Sequence, residues 1–297
     1  MRRHNSLHGI LVSLVTPFTD DRLRQDLLTE NIRKLNATPI EGYLVLGGNG
    51  EYMSLSDHEQ TRVVATVAAN RADKLLIGGV ACESVQTAVA ACCRMAESGA
   101  DLVRLMPPHY FARLITDEVL TRFYREVADA APVPILMYNV PRLTGGVRIS
   151  ADTVRRLAEH PNIVGIKDSS GAGLYEFLAA TRSIAGFQVL AGTADALFPA
   201  MMAGASGGDL SLANYLPHRA CDLVRAVGVG ELQRARELHD TLCILNRTIS
   251  GSYGVPGVKA AMDILGFHGG EPRRPLQALA AEDRARIEAL LQSRGAM

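Results

Sequence analysis

The sequence predicts an α/β fold of the (β/α)8 TIM-barrel class with a C-terminal helical extension. Three observations carry that reading. Eight short apolar runs recur along the first 213 residues, about 28 residues apart on average, the length of one strand–helix unit with short loops. The runs are almost continuously apolar rather than alternating, as in parallel strands covered on both faces. The segments between them carry the apolar period and the capping residues of helices.

The runs in order are GILVSLV at 9–15, GYLVLG at 42–47, LLIGGV at 75–80 and DLVRLM at 101–106. VPILMYNV at 133–140, NIVGIKD at 162–168, FQVLAG at 187–192 and GGDLSLA at 207–213 follow. Between them, 84–98 opens on a Ser cap and closes at Gly99. Residues 116–130 open on Thr116 and Asp117 and place Val119, Leu120, Phe123 and Val127 on one face. Residues 152–159 form a similar helix before Pro161. An open doubly wound sheet is the competing arrangement. It normally has fewer strands and often a GxGxxG turn after the first, whereas the first run here leads into Thr16-Pro17-Phe18.

After about residue 214 the strand pattern stops, and 217–248, 255–266 and 281–293 read as helices. The expected organisation is a barrel over 1–214 and a helical appendix over 215–297 that belongs to the same domain. No Pro/Ser-rich linker or low-complexity stretch interrupts the chain.

Charge narrows the function. Thirty-one basic and 31 acidic residues cancel, which excludes the basic bias of a sequence-independent nucleic-acid binder and directs attention to a local pocket. No apolar run reaches the roughly 18 residues that span a bilayer, and MRRHNSLHG leads into no long apolar segment, so neither a membrane span nor a signal peptide is expected. The five cysteines, Cys82, Cys92, Cys93, Cys221 and Cys243, form no CxxC pair, and the eight histidines include no HExxH. Free thiols, a cytoplasmic location and no metal site are expected.

Only four of the basic residues are lysines: Lys34, Lys74, Lys167 and Lys259. Lys167 ends an apolar strand, and barrel active groups sit at strand C-terminal ends. A lysine buried there is favoured in its neutral form and attacks carbonyls; one that snorkels to solvent is a surface charge. Position alone leaves both readings open. Lys34 and Lys259 fall on helices, and Lys74 begins a strand at the opposite end of the barrel. Tyr138 ends the preceding strand, either as a proton relay near Lys167 or as a rim aromatic. The GGNGE turn at 47–51 brings backbone N–H groups together, as an anion nest or simply as a turn.

Three segments together resemble the pyruvate-dependent class I aldolases, the family of dihydrodipicolinate synthase, N-acetylneuraminate lyase and 4-hydroxy-2-oxoglutarate aldolase. They are GGNGE at 47–51, YNVPRLTG at 138–145 and GIKDS at 165–169, and the resemblance spans nearly the whole chain. Within the family, NGE at 49–51, HPNIVGIKDS at 160–169, FQVLAG at 187–192 and GVPGVKAAMDILGFHGG at 254–270 resemble the 4-hydroxy-2-oxoglutarate aldolase branch.

The resemblance implies a barrel with C-terminal helices, assembled as a tetramer of tight dimers. It implies a Schiff base between Lys167 and a 2-oxo acid such as pyruvate, with Tyr138 as proton relay. It places Gly48 and Asn49 where the family binds the 2-oxo acid carboxylate. Tyr110 matches a tyrosine that reaches the neighbouring subunit's site, and Ser169 matches a substrate contact. The chemistry needs no metal or other cofactor, because a protonated imine is itself the electron sink when the bond between C3 and C4 breaks.

Three positions depart from the pattern. The synthase branch has Arg two residues after the YNVP proline to bind a substrate carboxylate; here that position is Leu143, and Arg142 is one place early, either swung in or a solvated loop charge. The family often has a hydroxyl at Gly48. Asp209 replaces an apolar residue beside the imine, and either enters the pocket to pair with Lys167 or substrate, or faces a helix N-terminus outside the barrel.

The sequence therefore predicts a carbon–carbon lyase, 4-hydroxy-2-oxoglutarate aldolase-like, that splits a 4-hydroxy-2-oxo acid into pyruvate and an aldehyde or makes it from them. Dihydrodipicolinate synthase and a 2-keto-3-deoxy sugar-acid aldolase are the alternatives. A non-catalytic 2-oxo acid sensor is the reading from a different class, motivated by Gly48 and Asp209.

Overall fold

The computed structural model describes residues 7–171 and 173–297. Residues 1–6, which belong to the segment considered for a leader, lie outside the described residues.

Eight parallel strands close into a barrel: β1 (Gly9–Ser13), β2 (Gly42–Val45), β3 (Leu75–Val80), β4 (Leu102–Leu105), β5 (Ile135–Asn139), β6 (Ile163–Asp168), β7 (Gln188–Ala191) and β8 (Gly207–Leu210). Each strand lies within one of the eight apolar runs. β8 pairs back onto β1 with Leu11 opposite Asp209, which closes the sheet without an edge. A short antiparallel ribbon, Phe18–Thr19 with Arg22–Leu23, follows β1 and is not visible in the apolar pattern.

Seven helices follow the first seven strands: α1 (Gln25–Asn36), α2 (Asp57–Asn70), α3 (Val85–Glu97), α4 (Asp117–Ala130), α5 (Ala151–Leu157), α6 (Leu174–Thr181) and α7 (Ala194–Met202). Local chemistry sets their starts. The Ser84 and Thr116 side chains accept from the backbone N–H groups of Thr87 and Val119, which fixes the first turns of α3 and α4. Apolar faces such as Leu120, Phe123, Tyr124 and Val127 of α4 are buried on the sheet.

The lower barrel is plugged by Leu7, Leu11, Leu44, Ile77, Leu102, Leu136 and Leu190, all essentially inaccessible to solvent. Burying each such side chain is worth about 1.5–3 kcal/mol. The plug leaves only the upper interior for chemistry.

The region after β8 departs from expectation in two ways. Residues 217–248 are not one helix. They form α8 (Pro217–Gly228) and α9 (Leu232–Asn246), broken where Gly230 adopts a left-handed φ of +79°. α8 packs against β1 and completes the eighth strand–helix unit, so the expected boundary at 214 falls inside the barrel motif. The extension proper is α9, α10 (Tyr253–Ile264) and α11 (Ala281–Ser293). A π-helical turn over Arg247–Ser252 joins α9 to α10, and α10 is regular only after Gly254, with Pro256 in its first turn. All five cysteines are free, and among the described residues no helix is long and apolar enough to cross a membrane.

Candidate active site

Strand alternation selects the inward side chains. Leu102 and Leu136 belong to the plug, so Arg104 and Tyr138, two residues further along β4 and β5, rise above it on the same side. Tyr138 and Lys167 are register partners across β5 and β6. Lys167 is 3% exposed, and Asp209 of β8 is fully buried.

These side chains meet. Lys167 Nζ donates to Asp209 Oδ2 at 2.6 Å and lies 4.9 Å from the centre of the Tyr138 ring. Ser169 Oγ is 3.4 Å from the Tyr138 hydroxyl. The Arg104 guanidinium carbon lies 4.5 Å from the same ring centre. Lys167 is thus enclosed rather than snorkelled, and Asp209 faces into the barrel rather than toward an outer helix. Asp209 Oδ1 is buried with no hydrogen-bond partner. A carboxylate with one oxygen on the amine and one unanswered is placed to hold a proton or a hydroxyl at the reacting centre.

The ends of β5 and β6 are pinned together one residue beyond. Asn139 Nδ2 donates to Asp168 Oδ1 at 2.6 Å, and Asn139 Oδ1 accepts from the Ile149 N–H. Asp168 also accepts from Ser170 Oγ and the Gly171 N–H. This buried carboxylate is answered by neutral donors, and it holds the strand ends that present Tyr138 and Lys167.

The GGNGE loop follows β2. Leu46, just before it, and Glu51, its last residue, adopt φ of +58° and +53°, a region that non-glycine residues rarely occupy. The surrounding structure holds Glu51 there. Lys259 Nζ of α10 lies 2.5 Å from Glu51 Oε1 and also donates to the carbonyls of Thr16 and Glu271. The Arg273 N–H donates to Glu51 Oε2 at 2.7 Å. Burial pushes the Lys259 amine below its ordinary range, against the opposing pull of the Glu51 carboxylate. Thr16 Oγ1 donates to the Gly50 carbonyl at 2.8 Å. Asn49 Nδ2 donates to Ser211 Oγ at 2.6 Å and to the Ser13 carbonyl, so this side chain ties the loop to the ends of β1 and β8. Gly48 is exposed, and a Cβ there would meet nothing within 4 Å.

The Dihydrodipicolinate synthetase family model matches residues 6–294. The chain belongs to that family. The chain is 32% identical to a 4-hydroxy-tetrahydrodipicolinate synthase of Methanothrix thermoacetophila, over 95% of each chain. It is 34% identical to one of Geobacter sulfurreducens, over 96% of this chain and 97% of that one. Among solved structures, a prophage protein of the dihydrodipicolinic acid synthase family from E. coli K12, in complex with pyruvate, superposes with a TM-score of 0.90 at 25% identity, covering 97% of this chain and 99% of that one. A monomeric dihydrodipicolinate synthase variant gives a TM-score of 0.93 at 25% identity over the whole of both chains. The chain is a lyase of the pyruvate-aldolase class.

The other residues marked in the sequence for this dihydrodipicolinate synthetase family member lie apart from the Lys167 cluster. Tyr110 stands on the loop after β4, 78% exposed; its backbone N–H is held by Glu83, and its ring packs edge-on against Phe111. Leu143 is 51% exposed, and Arg142 beside it points to solvent and makes no ion pair among the described residues. Among the described residues no group of three His, Cys, Asp or Glu is placed to hold a metal ion. Sequence reasoning passed over Arg104, Asp168 and the Glu51–Lys259 pair. Arg104 carried a signal, as the one charge inside the apolar run LVRLM. The other two did not, because their partners lie far away in sequence or are neutral.

Proposed function

We propose that this lyase makes or breaks a carbon–carbon bond between pyruvate and an aldehyde through an imine at Lys167. The observation that carries the reading is a lysine enclosed at the end of β6, touching Asp209 and lying beside the Tyr138 ring, in a chain of this family.

The steps follow from that geometry. The Lys167 amine attacks the C2 carbonyl once its proton has passed to Asp209, and loss of water leaves the imine. In cleavage the 4-hydroxyl gives up its proton, the bond between C3 and C4 breaks, and its electron pair enters the enamine. The aldehyde departs, C3 takes a proton, and water hydrolyses the imine to return pyruvate and the free amine. Tyr138, with Ser169 at its hydroxyl, relays the protons. Gly48 and Asn49 stand for the family's carboxylate loop, with the Gly48 and Asn49 N–H groups rather than the occupied Asn49 side chain as donors.

Relatives named 4-hydroxy-tetrahydrodipicolinate synthase make the synthase reaction the leading reading. Cleavage of a 4-hydroxy-2-oxo acid is the second, favoured by Leu143 where the synthase arginine is expected and by Ser169 beside Tyr138. The exposed rim of Tyr110, Phe111 and Leu114 supports a dimer that carries Tyr110 into the neighbouring site, and thence a tetramer. Five free cysteines support a reducing, cytoplasmic location.

Parallel assays decide the reaction: pyruvate consumption with aldehyde partners, and pyruvate release from 4-hydroxy-2-oxoglutarate. A kcat/KM at least 100-fold higher in one direction of substrate choice assigns it. Turnover of neither, with pyruvate still bound, leaves the sensor reading in place of the lyase.

A further inference from the structure

Arg104 is a buried charge that the imine chemistry leaves unused and that no carboxylate among the described residues answers. It is 2% exposed, and among the described residues no carboxylate lies within ion-pair distance of it. Its Nε is buried without a hydrogen-bond partner. Its guanidinium stacks on Tyr138, the residue that also borders Lys167. Two glycines make the room: a Cβ on Gly79 would lie 3.0 Å from Nη2, and a Cβ on Gly47 would lie 3.4 Å from Nη1. The guanidinium therefore sits beneath the first glycine of the GGNGE loop.

A buried cation without a counter-charge is costly unless something supplies the charge. The other buried carboxylates nearby are already committed. Asp209 is on Lys167, Glu51 is on Lys259, and Asp168 is on Asn139, Ser170 and Gly171. What is missing has the chemistry of a planar anion, for which the guanidinium fork is the matching donor.

We infer that Arg104 receives the carboxylate of the 2-oxo acid from below while the GGNGE loop caps it from above. The inference rests on the proposed imine at Lys167, and it deepens that reading by naming a binding residue on β4. Arg104 and Lys167 lie 4.5 and 4.9 Å from the centre of the same Tyr138 ring, so a 2-oxo acid held by Arg104 brings its carbonyl toward the amine. The pocket then selects 2-oxo acids over neutral ketones and esters of the same shape.

The test compares pyruvate with methyl pyruvate, its uncharged ester, by borohydride trapping followed by intact mass. In the wild type, half-maximal trapping is expected at a pyruvate concentration at least 30-fold below that for the ester. In Arg104→Gln the two are expected within about threefold, through loss of pyruvate affinity. Arg104→Lys, which keeps the charge but not the fork, is expected between them and serves if the glutamine variant fails to fold. An unchanged pyruvate preference in folded variants overturns the inference, since the loop alone then reads the carboxylate. An unchanged preference with a displaced pH profile of trapping also overturns it and makes Arg104 a tuner of Tyr138. No adduct in the wild type with either probe defeats the imine reading instead.

Discussion

Lys167 and Asp209 form an ion pair at 2.6 Å within the barrel, with 4% and 0% of their side-chain surfaces exposed. The pair gives the amine a proton acceptor in direct contact, and it leaves Asp209 Oδ1 for a substrate group. Asp209→Val is expected to lower kcat by at least tenfold and to change the order of preference among hydroxy-oxo acids. Steady-state kinetics over a substrate panel measure both. Unchanged kinetics and unchanged preference would remove Asp209 from the mechanism.

The hydroxyl relay gives a second prediction. Tyr138→Phe keeps the ring that packs on Arg104 and Lys167 but removes the proton carrier. Turnover is expected to fall by about 10²–10³. Gly48→Ser acts in the opposite sense. The backbone there is not left-handed and a Cβ meets open space, so the fold is expected to tolerate it. A serine would supply the hydroxyl that the resemblance leads one to expect at this position, as a further proton carrier beside Tyr138, and kcat is expected to rise severalfold. The kinetics of both variants, and of the double variant, test the relay.

The Glu51–Lys259 pair carries the third prediction. It fastens α10 to the GGNGE loop at a residue held in the left-handed region. Lys259→Met leaves the Glu51 carboxylate buried without its cation, at a cost of about 3–5 kcal/mol. Denaturant unfolding measures that loss. Pyruvate affinity is expected to fall with it, because the loop is no longer fixed.

These cases show what the sequence made legible. All eight strands were readable, because parallel strands covered on both faces are apolar runs that need no partner to be recognised. The placement of Lys167 and Tyr138 at neighbouring strand ends was readable, because each closes its own apolar run. The break at Gly230 was hidden, since the apolar period continues across it into α9. The direction in which Asp209 points was open, because a single strand residue has two faces and only closure against β1 chooses between them. Glu51 and Lys259 lie 208 residues apart, and nothing local in the sequence joins them.

A fourth prediction concerns pH. The Arg273 guanidinium, with help from the Ser56 backbone N–H, holds the Glu59 carboxyl at about 2 against an ordinary 4.5. A depressed carboxyl stabilises the fold above its unfolded value and ceases to do so as the pH falls toward its folded value. The contribution is thus full above about pH 4.5 and lost on descent to about pH 2. Glu59→Gln is expected to destabilise the protein by about 1–2 kcal/mol at pH 7, the value being reduced by solvent screening at this partly exposed pair. The gap from the wild type closes toward pH 2. Thermal melts from pH 7 to pH 2 measure it.

Every step of the proposed reaction passes through the imine at Lys167. Borohydride reduction in the presence of pyruvate, with intact mass and peptide mapping, tests it most directly, and Lys167→Ala is the control. One pyruvate adduct per chain is expected, on the peptide that contains Lys167, and none in the folded variant. An adduct on another lysine, or no adduct on a folded wild-type chain, would contradict it.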